Sequence, residues 1–85
     1  MFSADFSSQA KKFLKKTDKQ LARRLIEKIE KLSEDPFPPD AKRVVNRKEK
    51  IFRVRVGDYR IQFIVIYERN LVFITEIEKR PKAYQ

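Results

Sequence analysis

Phe52-Arg53-Val54-Arg55-Val56-Gly57-Asp58-Tyr59-Arg60-Ile61-Gln62-Phe63 alternates apolar and polar side chains on either side of Gly57-Asp58. That is the pattern of two strands joined by a two-residue turn. Gly57 is the only glycine among the 85 residues, and at the first central position it allows the positive φ of a type II′ turn. The turn sets Val56 opposite Tyr59, Arg55 opposite Arg60, Val54 opposite Ile61, Arg53 opposite Gln62 and Phe52 opposite Phe63. Because side chains alternate with period two, Phe52, Val54, Val56, Tyr59, Ile61, Phe63 and Val65 form an apolar face. Arg53, Arg55, Arg60 and Gln62 share the other.

Downstream, Glu68-Arg69-Asn70 reads as a three-residue loop leading to a third strand. In that register Tyr67 opposes Leu71, Val65 opposes Phe73, Gln62 opposes Glu76 and Arg60 opposes Glu78, whereas a two-residue loop would set Glu76 against the core residue Phe63. Glu76, Glu78 and Arg80 then join the arginine face. Its far end is an apolar patch of Ile64, Ile66, Val72 and Ile74, a surface that needs a cover.

Upstream lies a helical hairpin. Asp5 or Ser7 can cap a segment in which Phe6, Ala10, Phe13 and Leu14 recur at helical spacing, ending near Thr17. Asp18 caps a second, with Leu21, Leu25, Ile29 and Leu32 on one stripe, and Asp35-Pro36 ends it because a residue before proline resists the α conformation. Met1–Ala4 leaves room for a short first strand. Pro36, Pro38 and Pro39 make residues 36–49 a loop. Neither layer can bury its apolar side alone, so the expected class is α+β, with the hairpin packed on one face of a small antiparallel sheet. Residues 1–85 are read as one domain, which at this size buries only about 60% of its unfolded surface.

Composition narrows the chemistry. There is neither cysteine nor histidine, which excludes thiolate or imidazole metal sites and a histidine-dependent triad; no metal or cofactor is expected. No apolar run approaches a membrane span, so the expected setting is the cytoplasm, with no membrane partner. Twenty-one Lys and Arg against twelve Asp and Glu give +9, which favours a polyanion. Residues 42–60 hold +6 of it, with Lys42, Arg43, Arg47, Lys48, Lys50, Arg53, Arg55 and Arg60 against Glu49 and Asp58, a focused field suited to a nucleic-acid backbone. Lys79 adds to the binding set. Arg55 opposite Arg60 is the most informative pair, since like charges across a ladder are destabilising unless an anion shares them or the side chains splay into water. With Arg53 and Arg80 they surround Glu76 and Glu78, an arrangement suited to a phosphate.

The order helix, helix, proline-bearing loop and three-strand meander, with Val54-Arg-Val-Gly-Asp-Tyr-Arg-Ile61 followed by Lys79-Arg80, resembles the RelE/ParE toxin superfamily, and its RelE branch in particular. The resemblance spans nearly the whole chain. It implies a toxin of a type II toxin–antitoxin system that cuts mRNA in the ribosomal A site, through attack of the ribose 2′-hydroxyl and without a metal. Arg60 and Arg80 match family arginines implied to hold the scissile phosphate. Arg53 and Arg55 stand where bacterial RelE carries lysines; arginine, unlike lysine, stays protonated and cannot serve as a base. Tyr84 corresponds to a C-terminal tyrosine, at shorter spacing from Arg80, and could stack on a base. Glu78 is a candidate for proton transfer, alongside Glu76, Lys79, Lys50 and Tyr84. The implied partners are a RelB-like antitoxin, in a heterotetramer, and the ribosome with its message. The alternatives are a gyrase poison of the ParE type and a basic RNA-binding module.

Overall fold

The computed structural model describes residues 1–44 and 48–80. In chain order it contains β1 (Ser3–Phe6), α1 (Ser8–Lys16), α2 (Lys19–Glu34), β2 (Lys42–Arg43), β3 (Phe52–Val56), β4 (Tyr59–Ile66), a single 3₁₀ turn (Tyr67–Arg69) and β5 (Leu71–Lys79). The helices begin where side-chain acceptors stand ready. Ser7 Oγ accepts from the Ala10 N–H at 3.2 Å and Asp18 Oδ1 from the Leu21 N–H at 2.9 Å, each relieving an unpaired first-turn donor. The second helix stops at Asp35, before Pro36.

The sheet order is β1-β5-β4-β3-β2. All neighbours are antiparallel except β1, which runs parallel to β5. The first strand is thus as long as the sequence suggests but begins two residues later, and it makes the sheet mixed. Lys42–Arg43, read as part of a loop, forms a two-residue edge strand on β3. One apolar layer unites the elements: Ala10 of α1 and Leu21, Leu25, Ile29 and Leu32 of α2 pack against Val54, Ile61, Phe63, Val72, Ile74 and Ile77.

The β3–β4 hairpin has the register its alternation requires, from Phe52 opposite Phe63 to Val56 opposite Tyr59. Gly57 has φ +59° and Asp58 does not share the positive φ, as in a type II′ turn. A Cβ on Gly57 would lie 2.9 Å from an Nη of Arg24, so α2 closes on the turn with a guanidinium.

The β4–β5 pairing corrects the sequence reading in its upper half. The connection is one residue longer than Glu68–Asn70, since Tyr67 joins the 3₁₀ turn and Asn70 takes a left-handed φ of 49°. Ile66 therefore opposes Leu71 and Val65 opposes Val72, while Gln62 opposes Glu76 and Arg60 opposes Glu78 as expected. A β-bulge at Thr75 reconciles the two registers, because Ile74 pairs with Phe63 while Glu76 pairs with the preceding Gln62. Consequently Val72 and Ile74 are fully buried under the helices, not on the outer face. Leu71 and Phe73 take their places beside Ile66 and Ile64. Burial decides this, since an unbroken register would turn two large apolar side chains out of the core.

Gly57→Ala should cost about 1–2 kcal/mol, since the turn demands positive φ, and should lower the thermal midpoint by several degrees in a circular-dichroism melt. An unchanged midpoint would show that the turn can adopt another type.

Candidate nucleic-acid interface

The sheet face opposite the helices carries the charged group. Two rows cross it: Lys42, Arg53, Gln62 and Glu76 are successive cross-strand neighbours, as are Arg55, Arg60 and Glu78. Within these rows the carboxylates stand on β5 and the cations on β2, β3 and, through Arg60, β4. The backbone N–H of Arg80 donates to Asp58 O at 2.7 Å, which fastens the end of β5 to the hairpin turn.

At the centre, Arg60 Nη2 and Gln62 Nε2 both donate to Glu78 Oε2, at 2.9 and 2.8 Å. Gln62 is only 9% exposed, and its amide reaches diagonally past its direct opposite, Glu76. Strand alternation put Gln62 on this face, but the diagonal bond depends on side-chain reach. Arg60 Nε is buried with no hydrogen-bond partner among the described residues, so this guanidinium retains donor capacity.

Among the described residues the only ion pairs are Arg60–Glu78 and Lys28–Asp40. Arg53, Arg55, Arg80 and Lys42 therefore have no carboxylate within salt-bridge distance there, and two like-charged pairs, Lys42–Arg53 and Arg55–Arg60, stand directly opposed across the ladder. Such pairing is unfavourable unless an anion shares it or the side chains splay into water, and Lys42 and Arg55 are exposed. A cavity of about 300 Å³ lies beside it, lined by Asp40, Lys42, Arg53, Val54 and Arg55.

The predicted binding residues do not all reach this face. Lys42 does, while Arg43, opposite Phe52, and Lys79, opposite Tyr59, belong to the helix side of the sheet. Lys48 and Lys50 are exposed in the connection before β3. Arg47 and Tyr84 lie outside the described residues.

Sequence reasoning missed the Lys28–Asp40 pair, 2.8 Å long, which ties α2 to the proline loop at the cavity rim. No spacing rule links residues on different elements. The Lys28 ammonium, by hydrogen bond, holds the Asp40 carboxyl below its ordinary value of 3.8. A depressed carboxyl stabilises the fold above its unfolded pKa and loses that contribution as pH falls through the folded one. With the Asp40 side chain 51% exposed, the gain is a few tenths of a kcal/mol at most. Lys28→Met should therefore be slightly less stable than the parent in urea at pH 7, the difference vanishing well below pH 3.8; a difference that persists in acid would mean that packing, not charge, is responsible.

Two helices backing a mixed five-strand sheet whose open face gathers arginines around a carboxylate define a small basic α+β protein. The ParE toxin model of type II toxin–antitoxin (parDE) systems matches residues 4–84, and the chain belongs to this family, in the RelE/ParE superfamily. It is 30% identical over 87 residues to a Methanocaldococcus jannaschii protein described as "Putative toxin RelE1", covering 99% of this chain and 96% of that one. Among solved structures, isolated E. coli RelE toxin superposes with a TM-score of 0.83 at 21% identity, over 98% of this chain and 88% of that one. RelE in the archaeal RelE–RelB complex from Pyrococcus horikoshii gives 0.81 at 24% identity, over 96% and 98%.

Proposed function

We propose that this chain is a RelE-type toxin that cleaves mRNA in the ribosomal A site, restrained by a RelB-like antitoxin in the cytoplasm. The observation that carries the reading is the set of arginines on the open sheet face, with Arg55 opposed to Arg60 and only Arg60 holding a carboxylate among the described residues. The relative from Pyrococcus horikoshii, solved with RelB, supports the partner.

Cleavage through the ribose 2′-hydroxyl needs that hydroxyl deprotonated, the phosphorane charge stabilised and the departing 5′-oxygen protonated. Arg60 and Arg80 are assigned the phosphate, with Arg53 and Arg55 adding field. Arginine suits this because its planar fork matches phosphate oxygens and stays charged. Glu78 is the carboxylate that adjoins Arg60; Oε2 receives both donors, and Oε1 is assigned to accept the 2′-hydroxyl proton. Lys79 is set aside as a proton carrier because it belongs to the other side of the sheet. Tyr84 is assigned base stacking, and Lys42, Lys48 and Lys50 contacts to the nucleic-acid backbone. The ribosome would supply the in-line geometry, a positional gain of the kind worth several kcal/mol.

Primer extension on a defined message, with and without translating ribosomes, tests the reading. Cuts at the A-site codon should require ribosomes, and Arg80→Ala should reduce them by about 10²-fold or more, as expected for loss of a donor to developing oxyanion charge. Intact message in every lane would sink it. The matching family model is itself described as ParE, which favours inhibition of DNA gyrase as the second reading, so supercoiling would then be the activity to assay.

A further inference from the structure

On the helix side of the same sheet end lies an open groove of about 440 Å³, lined by Gln9, Lys12, Phe13, Lys16, Thr17, Tyr59 and Lys79. Its rings are Phe13 and Tyr59, edge to face with centroids 5.7 Å apart. Lys12, Lys16 and Lys79 are exposed, and none forms a salt bridge among the described residues. Lys16 occupies the last turn of α1, where a cation complements the helix dipole. That explains one lysine. Lys12, a turn earlier, repels Lys16 at i,i+4, and Lys79 comes from the sheet, so the dipole accounts for neither.

We propose that this groove binds one nucleotide of single-stranded RNA, the base on the Phe13–Tyr59 rings and its phosphates among Lys12, Lys16 and Lys79. Aromatic rings with a cationic rim are what a single strand recognises, since every base has a π-face and every linkage a charge. The volume suits a ligand of this size. Position supplies the second argument: Tyr59 and Lys79 are paired across β4–β5, and the adjacent pair, Arg60–Glu78, faces the arginine side. A strand held at Arg60 and Arg80 thus reaches the groove by passing over the end of the sheet. The proposal rests on the RNA reading above and adds a second contact region to it. Gln9 takes no part in binding, because its amide is committed to the Ile77 backbone at 2.8 and 2.9 Å.

The test uses the full chain, a short 2′-O-methyl oligouridine and Lys12→Gln/Lys16→Gln, both positions being exposed on α1. Fluorescence anisotropy should show the variant binding roughly three- to tenfold more weakly, with a salt dependence shallower by about 0.7 per lost phosphate contact. In amide NMR spectra of the parent, adenosine monophosphate should shift Phe13, Thr17, Tyr59 and Lys79 at concentrations where inorganic phosphate does not. Equal affinity and salt slope in parent and variant would overturn the proposal. So would a poly-glutamate peptide binding the parent as tightly as the oligomer and losing as much in the variant, which would mark the groove as a seat for an acidic protein segment. Because the oligomer cannot be cut and no ribosome is present, failure of the cleavage assay would leave this result standing.

Discussion

The extra residue at Thr75 governs the architecture. A strand sends alternate side chains to opposite faces, yet β5 must bury Val72, Ile74 and Ile77 on one side, positions that no unbroken alternation can unite. The bulge inverts the parity between Ile74 and Glu76. Above it, β5 contributes apolar residues to the helix layer in step with β1; below it, the same strand delivers Glu76 and Glu78 to the polar face while Ile77 stays inside. The charged site and the core are therefore joined through one backbone irregularity, and neither could be moved without the other.

A bulged strand beyond the end of its edge partner leaves polar backbone groups unpaired. The entry into α1 satisfies several of them. The Ser7 N–H donates to Ile74 O and its hydroxyl to Thr75 O, at 2.9 and 2.7 Å. The Gln9 amide both donates to and accepts from Ile77 at 2.8 and 2.9 Å, acting as a one-residue extension of the sheet. Ser7 Oγ also caps α1. The helix start and the strand edge thus complete each other, which fixes α1 relative to the segment carrying Glu78 and Arg80.

Charge follows the same frame. Carboxylates on β5 and cations on β2 and β3 give the open face a direction across the strands, and the Arg60–Glu78–Gln62 bonds mark its boundary. On the cationic side, opposed like charges raise the energy of the face, and the exposure of Lys42 and Arg55 to water and salt moderates the repulsion. A chain of this size has little stability to spare, so the two opposed like-charge pairs on this face are a cost that the apolar core must offset.

How much of this was legible in the chain depends on how local the cause is. Ser7, Asp18 and Asp35-Pro36 bound the helices by bonds spanning three residues or by proline sterics, and Gly57 fixes the first hairpin because one φ value determines the turn. The Arg55–Arg60 and Arg60–Glu78 pairs followed by counting. The parallel β1, the β2 strand on β3, the bulge, the Gln62–Glu78 bond and the division of Lys42 from Arg43 and Lys79 did not. Each depends on a partner distant in sequence or on which of two faces a residue takes after a break in alternation. Thr75 has no composition that announces it. The sequence by itself determined the helices, the hairpin and the presence of an arginine cluster, since these arise from short-range geometry and period-two alternation. Tertiary structure decided which side chains share a face, because only burial of Val72 and Ile74 against the helices makes the bulged register lower in free energy than the unbroken one.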